Sequence, residues 1–204
     1  MMIKCIGAIG DSITHGFYDD QNLGWFTRLG QMILAEHSGE YVFNNMSQAG
    51  DTIADAVHRS LYEVLSRHFD LIIVNIGIND LRRRKNSDMQ LDFSEGRRAE
   101  YWQQLLTVLQ KTGAKIVVTD LLPVVESRYT PEATLLRRNS DVECYNRQIK
   151  ELCGQNNIPF FERYPDWKDR NIESLYKDAL HPNTQGHQLI ARQMFDFLKA
   201  ENLI

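Results

Sequence analysis

The chain has 204 residues, 43% of them hydrophobic, which suits one domain, residues 1–204, with a substantial core. A net charge of -4 gives no basic surplus for nucleic acid or an anionic membrane. The three cysteines make an odd count with no C-x-x-C pair, so free thiols are expected rather than a disulfide framework. No apolar run is long enough to span a membrane. Met1-Met2-Ile3-Lys4 runs into the first strand with no long apolar h-region or small-residue cleavage site, so a soluble cytoplasmic protein is expected. Oligomeric state is not legible.

Short runs rich in Val and Ile predict strands over residues 3–9, 41–45, 71–75, 115–119 and 158–161. Their near-continuous apolar character fits parallel strands covered on both faces. Amphipathic helices lie between them. Their stripes are Trp25, Phe26, Leu29, Met32 and Ile33, then Ile53, Val57, Leu61, Val64 and Leu65, then Trp102, Leu105, Leu106 and Leu109. Asp92 with Glu95 reads as a capping box for the third stripe, and Gly113 as its stop. Ser140 with Glu143 reads as a second box ahead of Val142, Tyr145, Ile149 and Leu152, with Gly154 as the stop. A last helix, opened by Asn183 or Thr184, carries Ile190, Met194, Phe197 and Leu198. Strands alternating with helices predict a three-layer αβα sandwich around a mostly parallel five-stranded sheet. Residues 81–91 and 121–139 are too long for simple connectors, and both follow a strand's carboxyl end, where ligands bind in such sheets.

Four polar segments fall on that edge: Gly10-Asp11-Ser12, Ser47-Gln48-Ala49-Gly50-Asp51, Gly77-Ile78-Asn79-Asp80 and Asp178-Ala179-Leu180-His181-Pro182. Together they contain what serine-nucleophile hydrolysis requires. Ser12 would attack, His181 would act as base, and Asp178 would hold the other imidazole nitrogen. The Ser12 and Gly50 N–H groups, with the Asn79 amide, would receive the oxyanion. Glycine at 50 allows close backbone approach to a substrate, and asparagine at 79 supplies a neutral donor.

These segments resemble the sequence blocks of the SGNH hydrolases, the GDSL-type esterases and lipases. Ser12, Gly50, Asn79 and His181 match the residues of the family name, and G-D-S-I-T-H-G, G-I-N-D and D-A-L-H-P match in order and position. The resemblance implies a flavodoxin-like sheet, a Ser-His-Asp triad, an acyl-enzyme intermediate, and no metal or other cofactor. It implies a small-molecule, lipid or carbohydrate ester as substrate, without settling which. Asp11 is expected as a turn residue and Asp80 as a brace. His15 is a candidate pocket residue. Arg82, Arg83 and Arg84 are candidates for an anionic substrate group, against the plainer reading of a solvated loop. Leu121, Leu122, Val124 and Val125 would either line an acyl channel or bury themselves. Two competing readings stay open: a metal-dependent phosphoesterase, and a non-catalytic ligand-binding module of the same fold.

Overall fold

A computed structural model describes residues 4–85 and 90–204. The strands are β1 (Lys4–Gly10), β2 (Tyr41–Asn45), β3 (Leu71–Asn75), β4 (Arg83–Arg84), β5 (Lys115–Thr119), β6 (Leu135–Leu136) and β7 (Phe160–Phe161). The helices are α1 (Ser12–His15), α2 (Gly24–Glu36), α3 (Ile53–Glu63), α4 (Glu95–Gln110), α5 (Asn139–Gln155), α6 (Tyr164–Lys168) and α7 (Thr184–Ala200). Five strands form one parallel sheet in the order β2-β1-β3-β5-β7. Right-handed crossovers send α2 to one face and α3, α4 and α5 to the other. Accordingly α2 packs on α7, while α3 packs on α4 and α4 on α5. The central strands are covered on both faces, and all of Leu71–Asn75 is buried.

The expected α/β architecture is observed, and strands 41–45, 71–75 and 115–119 match residue for residue. Ile3 lies outside the described residues. The last strand is shorter than expected because Ile158 turns back to close α5, its N–H donating to Cys153 O at 2.9 Å. Only Phe160 and Phe161 pair with β5.

Several helix ends differ from expectation. Ser94, not Asp92, caps α4, accepting the Arg97 N–H at 3.3 Å, while the Asp92 carboxylate is engaged by Arg84 at 3.2 Å. Ser140 lies inside α5, whose N-cap is Arg138, and Glu143 pairs with Lys168 at 2.6 Å. The Asn139 N–H at that helix start is met from a distance by Glu126 Oε1 at 2.7 Å. Gly154 does not end α5, which continues to Gln155. Asn183 caps α7 as expected, with its side chain accepting the Gly186 N–H. Leu61 and Leu65 are 47% and 44% exposed, so the α3 stripe is narrower than its periodicity suggests.

The two long connections are not independent loops. β4 from one pairs antiparallel with β6 from the other, Arg83 opposite Leu136 and Arg84 opposite Leu135. Residues 86–89 of the first connection lie outside the described residues. Leu121, Leu122, Val124 and Val125 are buried in the core at 3%, 6%, 2% and 3% exposure, so they line no channel.

Gly77 joins β3 to the turn that follows. It has φ +126°, and a Cβ there would lie 2.8 Å from the Tyr145 ring. Both strain and clash oppose a side chain. Gly77→Ala is therefore expected to cost more than about 1 kcal/mol in urea unfolding. Gly96→Ala, in α4 with open space around it, should be neutral or stabilise by up to about 1 kcal/mol. Equal effects at the two positions would contradict this account.

Candidate active site

In an open parallel sheet the strand order reverses at a switch point, and the crevice there opens outside the strands' carboxyl ends. Here the reversal falls between β1 and β3. Ser12 follows β1 and Asn79 follows β3, so both reach that crevice. Asp11 caps the single turn of α1, its Oδ1 accepting the Ile13 N–H at 2.9 Å, which is the turn role expected of it. Ser12, 5% exposed, begins the turn.

The segment before α7 comes back to the same place. Ser12 Oγ lies 2.9 Å from His181 Nε2, and His181 Nδ1 lies 2.8 Å from Asp178 Oδ2. Asp178 Oδ1 accepts the backbone N–H groups of Leu180 and His181 at 2.7 and 2.6 Å. Partial burial works to raise the Asp178 pKa, but the His181 ring and the two N–H donors outweigh it and hold the carboxyl at about 2. Asp178 is thus a carboxylate at neutral pH that accepts a hydrogen bond from the Nδ1–H, which leaves Nε2 as the acceptor facing the Ser12 hydroxyl. Arg128 braces the same loop, donating to Tyr176 O and Asp178 O at 2.9 and 3.0 Å.

Beside Ser12, the loop after β2 presents Gly50 at φ +86°. A Cβ there would meet nothing within 4 Å except Arg82 Nη2 at 3.7 Å, so space is open in front of this backbone. Neither the Ser12 N–H nor the Gly50 N–H donates to a protein acceptor among the described residues. Asn79, 3% exposed, uses one N–H of its amide on Asp51 O at 3.0 Å. Its Oδ1 accepts from Arg137 Nη2 at 2.6 Å. Arg137 also donates from Nε to Ile78 O at 2.8 Å and is itself 5% exposed. No sequence motif marks Arg137; the only available signal was an arginine late in a long connection on the site's edge.

The remaining candidates separate. Arg82 reaches the site, donating to Gly50 O at 2.8 Å. Arg83 and Arg84 do not: Arg83 forms a two-pronged ion pair with Asp141, at 2.7 and 2.8 Å, and Arg84 binds Asp92. His15 borders a hollow of about 310 Å³ with Phe17, Tyr18 and Asn22, its Nδ1 lying 3.3 Å from Ser47 O. Phe17 and Tyr18 follow the G-D-S-I-T-H-G segment directly and belong to no motif of their own. Their rings flank His181 at centroid distances of 5.9 and 5.3 Å, while remaining 41% and 49% exposed. Among the described residues no three His, Cys, Asp or Glu side chains gather as a metal-ligand set.

Beneath the site runs a buried polar chain. Trp102 donates to Tyr145 Oη at 2.9 Å, Tyr145 to Asp80 Oδ2 at 2.6 Å, and the Ile53 N–H to Asp80 Oδ1 at 2.9 Å. Asp80 therefore braces the turn that carries Asn79. Burial pushes the Asp80 carboxyl up to about 7 and that of Asp11 up to about 6, despite their donors.

Fold and site together define a three-layer α/β protein with a histidine-paired serine at its switch point. The family model for the GDSL-like lipase/acylhydrolase family matches residues 8–189, and the chain belongs to that family. Solved structures share the fold. An acetyl xylan esterase, AlAXEase, superposes with a TM-score of 0.78 at 20% identity, covering 95% of this chain and 99% of its own. The lipase/acylhydrolase from Enterococcus faecalis gives 0.76 at 21% identity, covering 98% and 97%. The psychrotrophic esterase EstA from Pseudoalteromonas sp., solved inhibited by monoethylphosphonate, gives 0.76 at 18% identity, covering 98% and 100%. A search of curated proteins finds no match. No helix among the described residues is long and apolar enough to cross a membrane.

The raised carboxyls give a pH test. Their folded-state values of about 6 and 7 exceed the unfolded value near 4, so the folded protein binds more protons between about pH 4 and 7. Their contribution is full below about pH 4 and is lost as pH rises through about 7. Urea titrations of wild type and Asp80→Asn across this range should show a shallower decline in the variant. Parallel curves would show that Asp80 does not carry the linkage.

Proposed function

We propose that the protein hydrolyses carboxylic esters through Ser12, His181 and Asp178. The observation that carries this reading is the unbroken hydrogen-bonded chain from Asp178 through His181 to Ser12 Oγ. Ser12 Oγ bonds to the ester carbonyl carbon as its proton passes to His181 Nε2. The carbonyl oxygen becomes an oxyanion facing the Ser12 and Gly50 N–H groups and the Asn79 amide. The C–O bond to the alcohol then breaks, and His181 returns the proton to the departing oxygen. A water molecule, giving its proton to Nε2, attacks the acyl-enzyme; the Ser12 Oγ–carbonyl bond then breaks as His181 returns that proton to Ser12 Oγ, and the acid leaves. Asp178 fixes the imidazole tautomer and stabilises the imidazolium formed in each half.

The surroundings favour a short acyl group. The apolar residues after β5 are consumed by the core, and the space beside Gly50 is bordered by a guanidinium. The alcohol would leave past Phe17 and Tyr18, which flank the proton donor.

Hydrolysis of p-nitrophenyl esters tests these statements. Ser12→Ala should lower kcat on the order of 10⁴- to 10⁶-fold. Asn79→Ala should lower it by about 10²- to 10³-fold. EDTA should change neither wild-type rate nor KM. Among acyl chains, acetate or propionate should be preferred. A Ser12→Ala variant at the wild-type rate would refute the mechanism, and a palmitate optimum would refute the short acyl site.

A further inference from the structure

We infer that Arg137 is a positioning residue for catalysis, acting through Asn79; the inference rests on the oxyanion role proposed above for Asn79. An asparagine amide can turn over about its last torsion at little steric cost, and only its hydrogen bonds decide which face holds the donor. At Asn79 the oxygen is held by Arg137 Nη2 at 2.6 Å, and one N–H is held by Asp51 O at 3.0 Å. Arginine has no acceptor, so it tolerates only the oxygen at that position. The opposite orientation would set the Asn79 NH₂ against the guanidinium and the oxygen against Asp51 O. Arg137 thereby dictates that the second Asn79 N–H is the group left for substrate.

Arg137 is suited to this by its own restraint. Its Nε donates to Ile78 O at 2.8 Å, so one planar fork grips two consecutive residues of the turn after β3. It is 5% exposed, and no carboxylate lies within ion-pair distance of it among the described residues. A buried cation without a carboxylate partner is costly unless it donates to neighbouring acceptors, and here Nε and Nη2 donate to Ile78 O and Asn79 Oδ1. Its charge polarises the Asn79 C=O, which makes the amide N–H a stronger donor to a developing oxyanion. The β4–β6 ribbon explains how it arrives: Arg137 follows Leu136 directly, so pairing of the two long connections delivers its side chain beneath the turn.

A double-mutant cycle on kcat and KM for p-nitrophenyl acetate tests the assignment, with thermal melting to check folding. Arg137→Met keeps the side chain's bulk and removes its donors. It should lower kcat by about tenfold or more, with KM within about twofold, because an orientation needed for the oxyanion acts in the transition state. In the Asn79→Ala background the same substitution should change kcat by less than about twofold, since Arg137 then has no amide to orient. Arg137→Lys, which keeps the charge but cannot span both acceptors, should recover only part of the rate and serves as the folded comparison if the Met variant melts below the assay temperature. Arg137→Met at near wild-type kcat, or equal losses in both backgrounds, would overturn the inference. If Asn79→Ala itself leaves kcat unchanged, the oxyanion reading fails first and the inference with it.

Discussion

A hydrogen bond of 2.9 Å between Ser12 Oγ and His181 Nε2 joins positions 169 residues apart, and much of the fold serves to hold its two ends. At one end, β1 and the Asp11-capped turn deliver Ser12 at the switch point. At the other, Asp178 grips both the ring and the backbone of His181, and Arg128 grips the Asp178 loop. The ends meet because α2 and α7 pack together on one face of the sheet, so the first and last thirds of the chain share a layer. Further ties cross the same gap. His187 Nε2 lies 2.9 Å from Phe17 O, and the Asp20 N–H donates to Thr184 Oγ1 at 2.9 Å.

The floor of the site is held by buried polar groups rather than by apolar contact alone. Asn75 at the end of β3 donates to Thr119 Oγ1 at 2.7 Å and to Asp120 O at 3.2 Å, while its Oδ1 accepts from Thr14. Asp120 in turn pairs with fully enclosed Arg163 at 3.2 Å. Each such group would cost stability if left unpaired, so the network admits few alternative arrangements of the strand ends. That rigidity is what catalysis by fixed dipoles asks of a site. The aromatic loop fits the same logic. Asp19, with no side-chain exposure, binds Arg28 in two prongs of 2.8 Å, and this pair anchors a loop that still presents Phe17 and Tyr18 outward.

Much of this was legible in the chain because buried parallel strands are near-continuous apolar runs, and β3, Leu71–Asn75, is the plain case. Ser12, His181 and Asp178 were legible because a serine just past a strand and a D-x-x-H segment just ahead of a helix are side chains that the proposed hydrolysis would need on that edge. Capping was less legible. Asp92 and Ser140 have the right chemistry for N-caps, but Arg84 takes the first and the second is already the second residue of its helix. The β4–β6 ribbon was hidden because two-residue strands carry no period. Arg137 was hidden for a related reason: its meaning comes from Ile78 and Asn79, distant in sequence, and not from any neighbour. Arg83 and Arg84 show the converse, since proximity in sequence to Asn79 did not bring them to the site.

The central claim is that Ser12 is a nucleophile activated by His181, and covalent labelling tests it most directly. Treatment with a fluorophosphonate probe followed by peptide mass spectrometry should find one adduct per chain, on Ser12, and His181→Ala should slow its formation by orders of magnitude. An unlabelled Ser12 in folded protein, or labelling at the same rate without His181, would contradict the account.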